Sequence, residues 1–351
     1  MKLEAIRKRI DEIDRELVSL LEARMEMSLR TRPFKTATKD EEREAAVIEH
    51  AQRSRLALLD ESFIEQLFQR IMDESKNLQE RKLPLVAFQG EHGAYSEMAS
   101  RAFMPGSAYI PCAKFSEVFE GVSEGAFDFG VVPVENSLEG AVTQVNNLLT
   151  HTTLKVIGET IVPVHHCLLV AKGTDYREVR EVYSHPQALA QCAAFLERNR
   201  LEPRPYYDTA GAARMLNTAK TRAAAIASPL CAQIYDLEIL KEHIEDDPTN
   251  STRFLLLSRE PSKVPGDKCS IVFATAHKSG ELLESLRIFA ESHINLTRIA
   301  SMPHRTESGT YNFFLDFEGS DQDAKVLEVL DKVRAFTPSM LLLGCYPRFN
   351  G

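Results

Sequence analysis

The sequence predicts a multi-domain chain: an all-α helical unit, then an α/β unit of two lobes, then an α+β ferredoxin-like unit. Three observations carry this. Residues 1–82 keep helical spacing of their apolar side chains. From Leu85 short apolar runs alternate with helical stretches, in a segment long for one compact sheet. After the breaker-rich Glu260-Pro261-Ser262-Lys263-Val264-Pro265-Gly266, the order becomes strand, helix, strand, strand, helix, strand. The expected units are 1–82, 84–260 and 268–347.

In the first helix Ile6, Ile10, Ile13, Leu17 and Leu20 form one stripe, and the next place on it is Arg24. Pro33 interrupts the helix end, and Asp40-Glu41-Glu42 opens the second helix. There Val47, Ile48, Ala51, Arg55 and Leu58 mark the inner face, with Glu44 one turn ahead. In the third, Ile64, Phe68 and Ile71 lead to Ser75, Leu78 and Gln79. Burying charge without a partner costs several kcal/mol. Inward Arg, Glu, Ser and Gln therefore read as a pocket for a polar anion. They read equally as an Arg that snorkels to solvent with a Ser and a Gln that satisfy backbone groups.

Strands are expected at 85–88, 129–134, 156–161, 167–170, 181–183, 224–227 and 254–257, and helices near 96–103, 116–125, 139–150, 187–199, 209–219 and 229–236. In the last unit strands fit 270–276, 296–300, 311–317 and 340–345, with helices at 281–291 and 324–334.

A formal net charge of −9 argues against nucleic acid or an anionic membrane as main partner. No apolar run approaches a membrane span, and the charged N-terminal segment has no signal-peptide core. The six cysteines, Cys112, Cys167, Cys192, Cys231, Cys269 and Cys345, include no C-x-x-C pair, so reduced thiols and a cytoplasmic protein are expected.

Four clusters fall at strand ends or loops, where α/β folds place ligands. They are residues 89–96 (Gln-Gly-Glu-His-Gly-Ala-Tyr-Ser), Pro133-Val134-Glu135-Asn136-Ser137, Ser184-His185-Pro186-Gln187 leading on to Gln191, and Asn250-Ser251-Thr252-Arg253-Phe254. Taken singly, Ser184 and Thr252 also read as cap or turn hydroxyls, and Asn136 as a turn former. His165-His166 read as ordinary polar residues beside a strand, with no carboxylate or His at metal-ligand spacing. No nucleophile elbow or phosphate loop is present. Chemistry on a carboxylate substrate without metal or cofactor is the reading that remains.

At these residues the chain resembles the bifunctional chorismate mutase–prephenate dehydratase family over nearly its whole length. The patterns run in order: Gly-Ala-Tyr-Ser at 93–96, Val-Glu-Asn-Ser at 134–137, Ser-His-Pro-Gln at 184–187, Thr-Arg-Phe at 252–254, and a closing Leu343-Gly344-Cys345-Tyr346-Pro347. The resemblance implies lobes like those of periplasmic binding proteins, with the active site between them. It implies Thr252 as the catalytic donor to the departing hydroxyl, and Glu135, Asn136, Ser137, Ser184, His185, Gln191 and Arg253 around the substrate.

The first unit resembles the helical chorismate mutase, an intertwined dimer. Arg7 matches the Arg that enters the partner's site, and Arg24 and Lys35 match the next two cations. Asp40, Arg43 and Glu44 match the Asp-x-x-Arg-Glu pattern, and Ser75 and Gln79 the polar pair of the last helix. Lys35 and Gln79 are the implied catalytic donors. Four residues separate Lys35 from Asp40, and Thr31-Arg32-Pro33-Phe34 stands where the family has a Gly-containing helix end. The last unit resembles the regulatory ACT module, with an amino-acid effector near Gly280, Leu282 and Ser301.

The implied substrates are chorismate and prephenate, turned over in phenylalanine biosynthesis by a homodimer or higher homo-oligomer without nucleic-acid or membrane partners. Two other readings stay open. One is a monofunctional prephenate or arogenate dehydratase with a weak or inactive mutase unit, and the other a non-catalytic amino-acid or solute sensor. The family's Gly-Ala-Leu and Glu-Ser-Arg-Pro segments read Gly280-Glu281-Leu282 and Ala300-Ser301-Met302-Pro303 here. Loss of that Glu and Arg predicts weak or altered regulation. Micromolar phenylalanine is expected to leave most turnover intact in a steady-state assay, and strong inhibition at that level would overturn the expectation.

Overall fold

The computed structural model describes residues 3–35, 40–53, 58–218, 223–275, 278–303 and 311–348. The first unit is three helices, α1 (Leu3–Arg30), α2 (Glu41–Arg53) and α3 (Glu61–Glu80). Pro33, in a 3-10 turn over Arg32–Phe34, has no N–H to continue α1. Asp60 caps α3, its Oδ1 accepting the Phe63 N–H at 2.7 Å. The first half of α1 keeps its apolar stripe in solvent, whereas Leu29 near the other end is buried against the next unit.

The α/β unit has two lobes. The first holds β1 (Leu85–Gln89), α4 (Tyr95–Phe103), β2 (Ala108–Cys112), α5 (Phe115–Ser123), β3 (Phe129–Asn136), β4 (Gly140–Ala141), α6 (Thr143–Leu149) and β5 (Lys155–Pro163). The second holds β6 (Cys167–Ala171), β7 (Glu181–Ser184), α7 (Pro186–Gln191), α8 (Ala193–Arg198), β8 (Glu202–Pro205), α9 (Thr209–Thr218), β9 (Ala224–Ala227), α10 (Pro229–Ile234) and β10 (Leu237–Lys241). The chain then returns to the first lobe as β11 (Ser251–Ser258), giving sheet orders β2-β1-β3-β11-β5, with β4 beside β3, and β10-β6-β9-β7-β8. Two crossovers, 164–166 and 242–250, thus join the lobes, and they bond to each other through Val164 N–H to Asn250 O (2.9 Å) and Ile244 N–H to His166 O (3.1 Å).

The third unit is β12 (Lys268–Thr275), α11 (Glu281–Glu291), β13 (Leu296–Pro303), β14 (Tyr311–Glu318), α12 (Ala324–Phe336) and β15 (Ser339–Tyr346), in sheet order β13-β14-β12-β15. This is the ferredoxin-like order expected from the strand-helix pattern. Its two helices cover one sheet face through Phe289, Val326 and Val333. The other face adds Val272, Phe314, Leu343 and Tyr346 to the core of the first lobe. There β15 lies so close to β5 that a side chain at Gly344 would meet the Val156 carbonyl oxygen at 2.1 Å.

Three features differ from the sequence expectation. The helix expected at 187–199 is two, broken at Cys192, and the one expected from 139 begins at Thr143 after the short β4. Strands β2, β8 and β10 are additional; all are sheet edges, where a strand carries proline or polar residues because only one side is paired. The expectation of reduced thiols is corrected for one pair: Cys269 and Cys345 stand directly opposite on β12 and β15 and form a disulfide, while Cys112, Cys167, Cys192 and Cys231 are free and buried. The partners lie 76 residues apart, so only strand pairing brings them together. Among the described residues no helix is long and apolar enough to cross a membrane.

The helical unit docks on the first lobe through polar contacts as well as Leu29. Arg32 pairs with Asp128 at 3.0 Å and donates to Leu83 O at 2.6 Å. His92, in the loop after β1, bridges Glu26 of α1 and Glu97 of α4. Burial opposes the imidazolium, but the two carboxylates outweigh it and push its pKa up from 6.5 to about 9. A raised value means that the contact stabilises fully below pH 6.5 and is lost as pH rises through about 9. His92→Gln is expected to cost about 2 kcal/mol near pH 6. In thermal melts across pH, the gap between wild type and variant should close above pH 9; a pH-independent gap would refute the bridge.

Candidate active sites

Strand geometry builds the first site. On paired β3 and β11, Asn136 stands opposite Thr252, and Glu135 opposite Arg253. Successive residues of a strand point to opposite faces, so these two pairs face opposite ways. The Asn136 Oδ1 accepts the N–H groups of Leu138 and Glu139, both at 3.0 Å. Its Nδ2 must then face the other side, where it donates to Asn250 Oδ1 (2.8 Å), Thr252 Oγ1 (3.0 Å) and Ser251 O (3.1 Å). Asn250 is buried, and its own Nδ2 has no hydrogen-bond partner. Such an unmet donor is costly unless a ligand takes it. Asn250 was in the cluster read from sequence but was not singled out; its signal was its place two residues before Thr252.

A second polar chain lies at the crossovers. His166 is buried, which pulls its pKa down and favours the neutral ring. Its Nε2 meets Gln191 Oε1 at 3.0 Å and its Nδ1 meets the Tyr95 hydroxyl at 3.1 Å, linking the two lobes. Tyr95 also donates to His165 O at 2.6 Å. Both polar chains border the crossovers, because Val164 and Asn250 are bonded there. Nearby Ser228 Oγ donates to Gly93 O at 2.5 Å, and a side chain at Gly93 (φ +90°) would meet Cys231 Sγ at 2.5 Å. Here the lobes touch. Tyr95 was in the 89–96 cluster read from sequence but was not singled out, His166 was read as an ordinary polar residue, and Ser228 was not read as a site residue.

Four expected residues are placed differently. Ser184 is fully buried and donates to Ile226 O at 2.6 Å, tying β7 to β9. His185 is an exposed cap of α7, its Nδ1 accepting the Gln187 N–H at 3.3 Å. Glu135 pairs with Arg298 of the third unit at 2.8 Å. Arg253 pairs with Glu159 (2.7 Å) and Asp316 (2.6 Å) and donates to the Tyr346 hydroxyl (3.1 Å). Glu135 and Arg253 were expected around the substrate, and strand alternation turns them to the third unit instead. Ser137, on the rim, accepts the Ser251 N–H at 3.0 Å.

In the helical unit Arg24 donates to Ser75 Oγ at 2.8 Å, joining α1 to α3. Burial, with the neighbouring charge of Arg43, pulls the Arg24 pKa down. Gln79 is buried, and its Nε2 donates to Ser28 O (2.6 Å), Ser28 Oγ (2.9 Å) and Thr31 Oγ1 (3.2 Å). Glu44 pairs with Lys76 at 3.1 Å, a partner the sequence reading missed. Asp40 caps the start of α2 through the Arg43 N–H at 2.9 Å. Lys35 is exposed after the turn and stands outside this bonded set; the short connection 36–39 lies outside the described residues. Arg7 is exposed about 25 Å from Arg24 along one straight helix, so the two cannot share a pocket within one chain. In the third unit, Gly280 takes a left-handed φ of +89° before α11, Leu282 packs on the helical core, and Ser301 is exposed on the edge strand β13.

Family models match the helical region and the two-lobed region separately. Residues 6–80 match the family model of chorismate mutase type II, and residues 86–262 that of prephenate dehydratase. A bifunctional chorismate mutase/prephenate dehydratase of Pseudomonas aeruginosa is 36% identical, over 99% of this chain and 98% of its own length. An arogenate dehydratase/prephenate dehydratase of Arabidopsis thaliana is 41% identical, over 75% of this chain and 72% of its own. The crystal structure of an Arthrobacter aurescens prephenate dehydratase in complex with L-Phe superposes with a TM-score of 0.69 at 31% identity, covering 75% of this chain and 90% of that one. With both matching models, and a full-length relative well above 30% identity, the chain belongs to the bifunctional chorismate mutase/prephenate dehydratase family.

Proposed function

We propose that the helical unit rearranges chorismate to prephenate, and that the cleft at Thr252 decarboxylates and dehydrates prephenate to phenylpyruvate. The observation that carries the second step is the fixed Asn136 amide. Because its Nδ2 faces Thr252 Oγ1, the Thr252 oxygen is the acceptor in that contact and its proton is free to be donated. Loss of CO₂ and of the ring hydroxyl as water makes the ring aromatic, which drives the reaction. The protein must then orient the carboxylate and supply a proton to the departing hydroxyl. A threonine is a weak acid, so its proton comes through a network, and the unmet Asn250 amide offers a further donor to the substrate. Prephenate is favoured over arogenate because the same chain carries the unit that makes prephenate.

The mutase step is a unimolecular rearrangement that needs no nucleophile. Arg24 and Arg43 clamp the carboxylates, and Gln79 and Lys35 stabilise charge growing on the ether oxygen. The site is completed by a second copy of the chain. The partner subunit's Arg7 is needed because this chain's own Arg7 is a helix length away. The stripe that a partner would cover is exposed, Leu17 by 52% and Leu20 by 67%. The third unit is an ACT module, with Gly280, Leu282 and Ser301 near its amino-acid site. Glu135 and Arg253 serve as its anchors on the first lobe.

Two experiments test this. Thr252→Ala, given chorismate and followed for both products with an alkaline quench, should accumulate prephenate. Its dehydratase rate should fall about 100- to 10,000-fold, with the mutase within about twofold; equal damage to both would refute the assignment. Leu17→Glu puts a charge into the proposed helical interface. It should yield a smaller species in light scattering and lower the mutase roughly tenfold to a hundredfold, sparing the dehydratase. An unchanged oligomer with full mutase activity would refute the shared site.

A further inference from the structure

Three groups at the junction of the lobes have no part in either reaction. His165 Nδ1 lies 2.8 Å from Glu245 Oε1, and His243 Nδ1 lies 3.4 Å from the same oxygen. The three donor atoms fall within 4.8 Å of one another, and the two imidazole rings are 4.4 Å apart. The sequence reading set His165 aside because no partner stands at metal-ligand spacing. The fold supplies two, since His165 is on the outgoing crossover and both partners are on the returning one.

The arrangement has the properties of a coordination site. Tetrahedral zinc with nitrogen and oxygen ligands spaces its donors about 3.4 Å apart, which small rotations of these side chains provide. The Glu245 side chain is 2% exposed, and its Oε2 is held by the His166 N–H at 2.9 Å, which aims Oε1 at the imidazoles. His165 and His243 are 36% and 62% exposed, so an ion can enter from solvent. An open cavity of about 1000 Å³ borders His243 and Glu245, lined also by Arg177, Arg180, Arg198 and Lys241. Those cations disfavour an ion held by charge alone. Two imidazoles and one carboxylate select a zinc-class ion over calcium or magnesium.

We propose that His165, His243 and Glu245 bind one divalent transition-metal ion, and that the bound ion pins the two crossovers together and slows the dehydratase. Opening and closing a two-lobed cleft requires its connecting segments to shift against each other. A metal with ligands on both segments opposes that shift. The effect is confined to the cleft, because none of the three residues touches the helical unit's Arg24–Ser75 pocket.

The test uses the untagged full-length protein with zinc chloride as probe. Calorimetry is expected to give one zinc per chain with a Kd on the order of micromolar, weakened roughly tenfold or more in His243→Ala and in His165→Gln. Zinc at saturation should lower dehydratase turnover several-fold and leave the mutase unchanged, and EDTA should restore it. His243→Ala without zinc should turn over prephenate as wild type does, since His243 lies outside the cleft network. No zinc binding, or binding equally tight in both variants, overturns the site. Binding that leaves dehydratase turnover unchanged overturns the clamp. Calorimetry reads the site whether or not the assigned reaction occurs, so the two readings fail separately.

Discussion

The seating of the third unit on the first lobe depends on one largely buried ion network between them. Arg253, Lys268 and Arg298 face Glu159, Asp316 and Glu135, three charges of each sign. Ser270 donates to Asp316 at 2.6 Å and contacts the Tyr346 hydroxyl at 2.6 Å, while the buried Arg298 Nη2 has no hydrogen-bond partner. Burial alone would raise the Asp316 pKa, but Arg253 and Arg298 hold it below the usual carboxylate range. Removing one partner from such a network costs about 3–5 kcal/mol because the other charge is left buried. The network therefore sets the position of the third unit on the lobe.

Strand alternation makes that anchor adjacent to the polar network at Thr252. Arg253 follows Thr252 directly, and Glu135 precedes Asn136, so each strand presents one residue to the cleft network and its neighbour to the third unit. A shift of the third unit that moved Arg253 would move the backbone that holds Thr252. The third unit and the polar network at Thr252 are therefore joined mechanically through the backbone of two paired strands.

The cleft and the helical unit are assembled in different ways. The cleft draws its groups from two lobes of a single chain, brought together by paired crossovers and by the close approach at Gly93. In the helical unit Arg24, Ser75 and Gln79 bond α1 to α3, while the apolar stripe of α1 is uncovered and Arg7 is far off. Leu17 and Leu20 of that stripe are more than half exposed, so the helical unit by itself leaves this apolar face in solvent.

The sequence by itself determined the fold class. Apolar periodicity, the breaker run at 260–266 and the strand-helix order placed helices first, a two-lobed α/β unit next and a ferredoxin-like unit last. It also marked Asn136, Thr252, Arg24 and Gln79, because polar residues at strand ends or on apolar stripes are visible without coordinates. Edge strands with proline escaped it, since they lack a two-sided apolar pattern. Tertiary structure alone decided which way Glu135 and Arg253 point, that Ser184 is a strut, that Cys269 meets Cys345, and that Glu245 joins His165. The physical reason is common to all four: each depends on strand register or chain crossing between residues far apart in sequence, and local composition carries no record of who the partner will be.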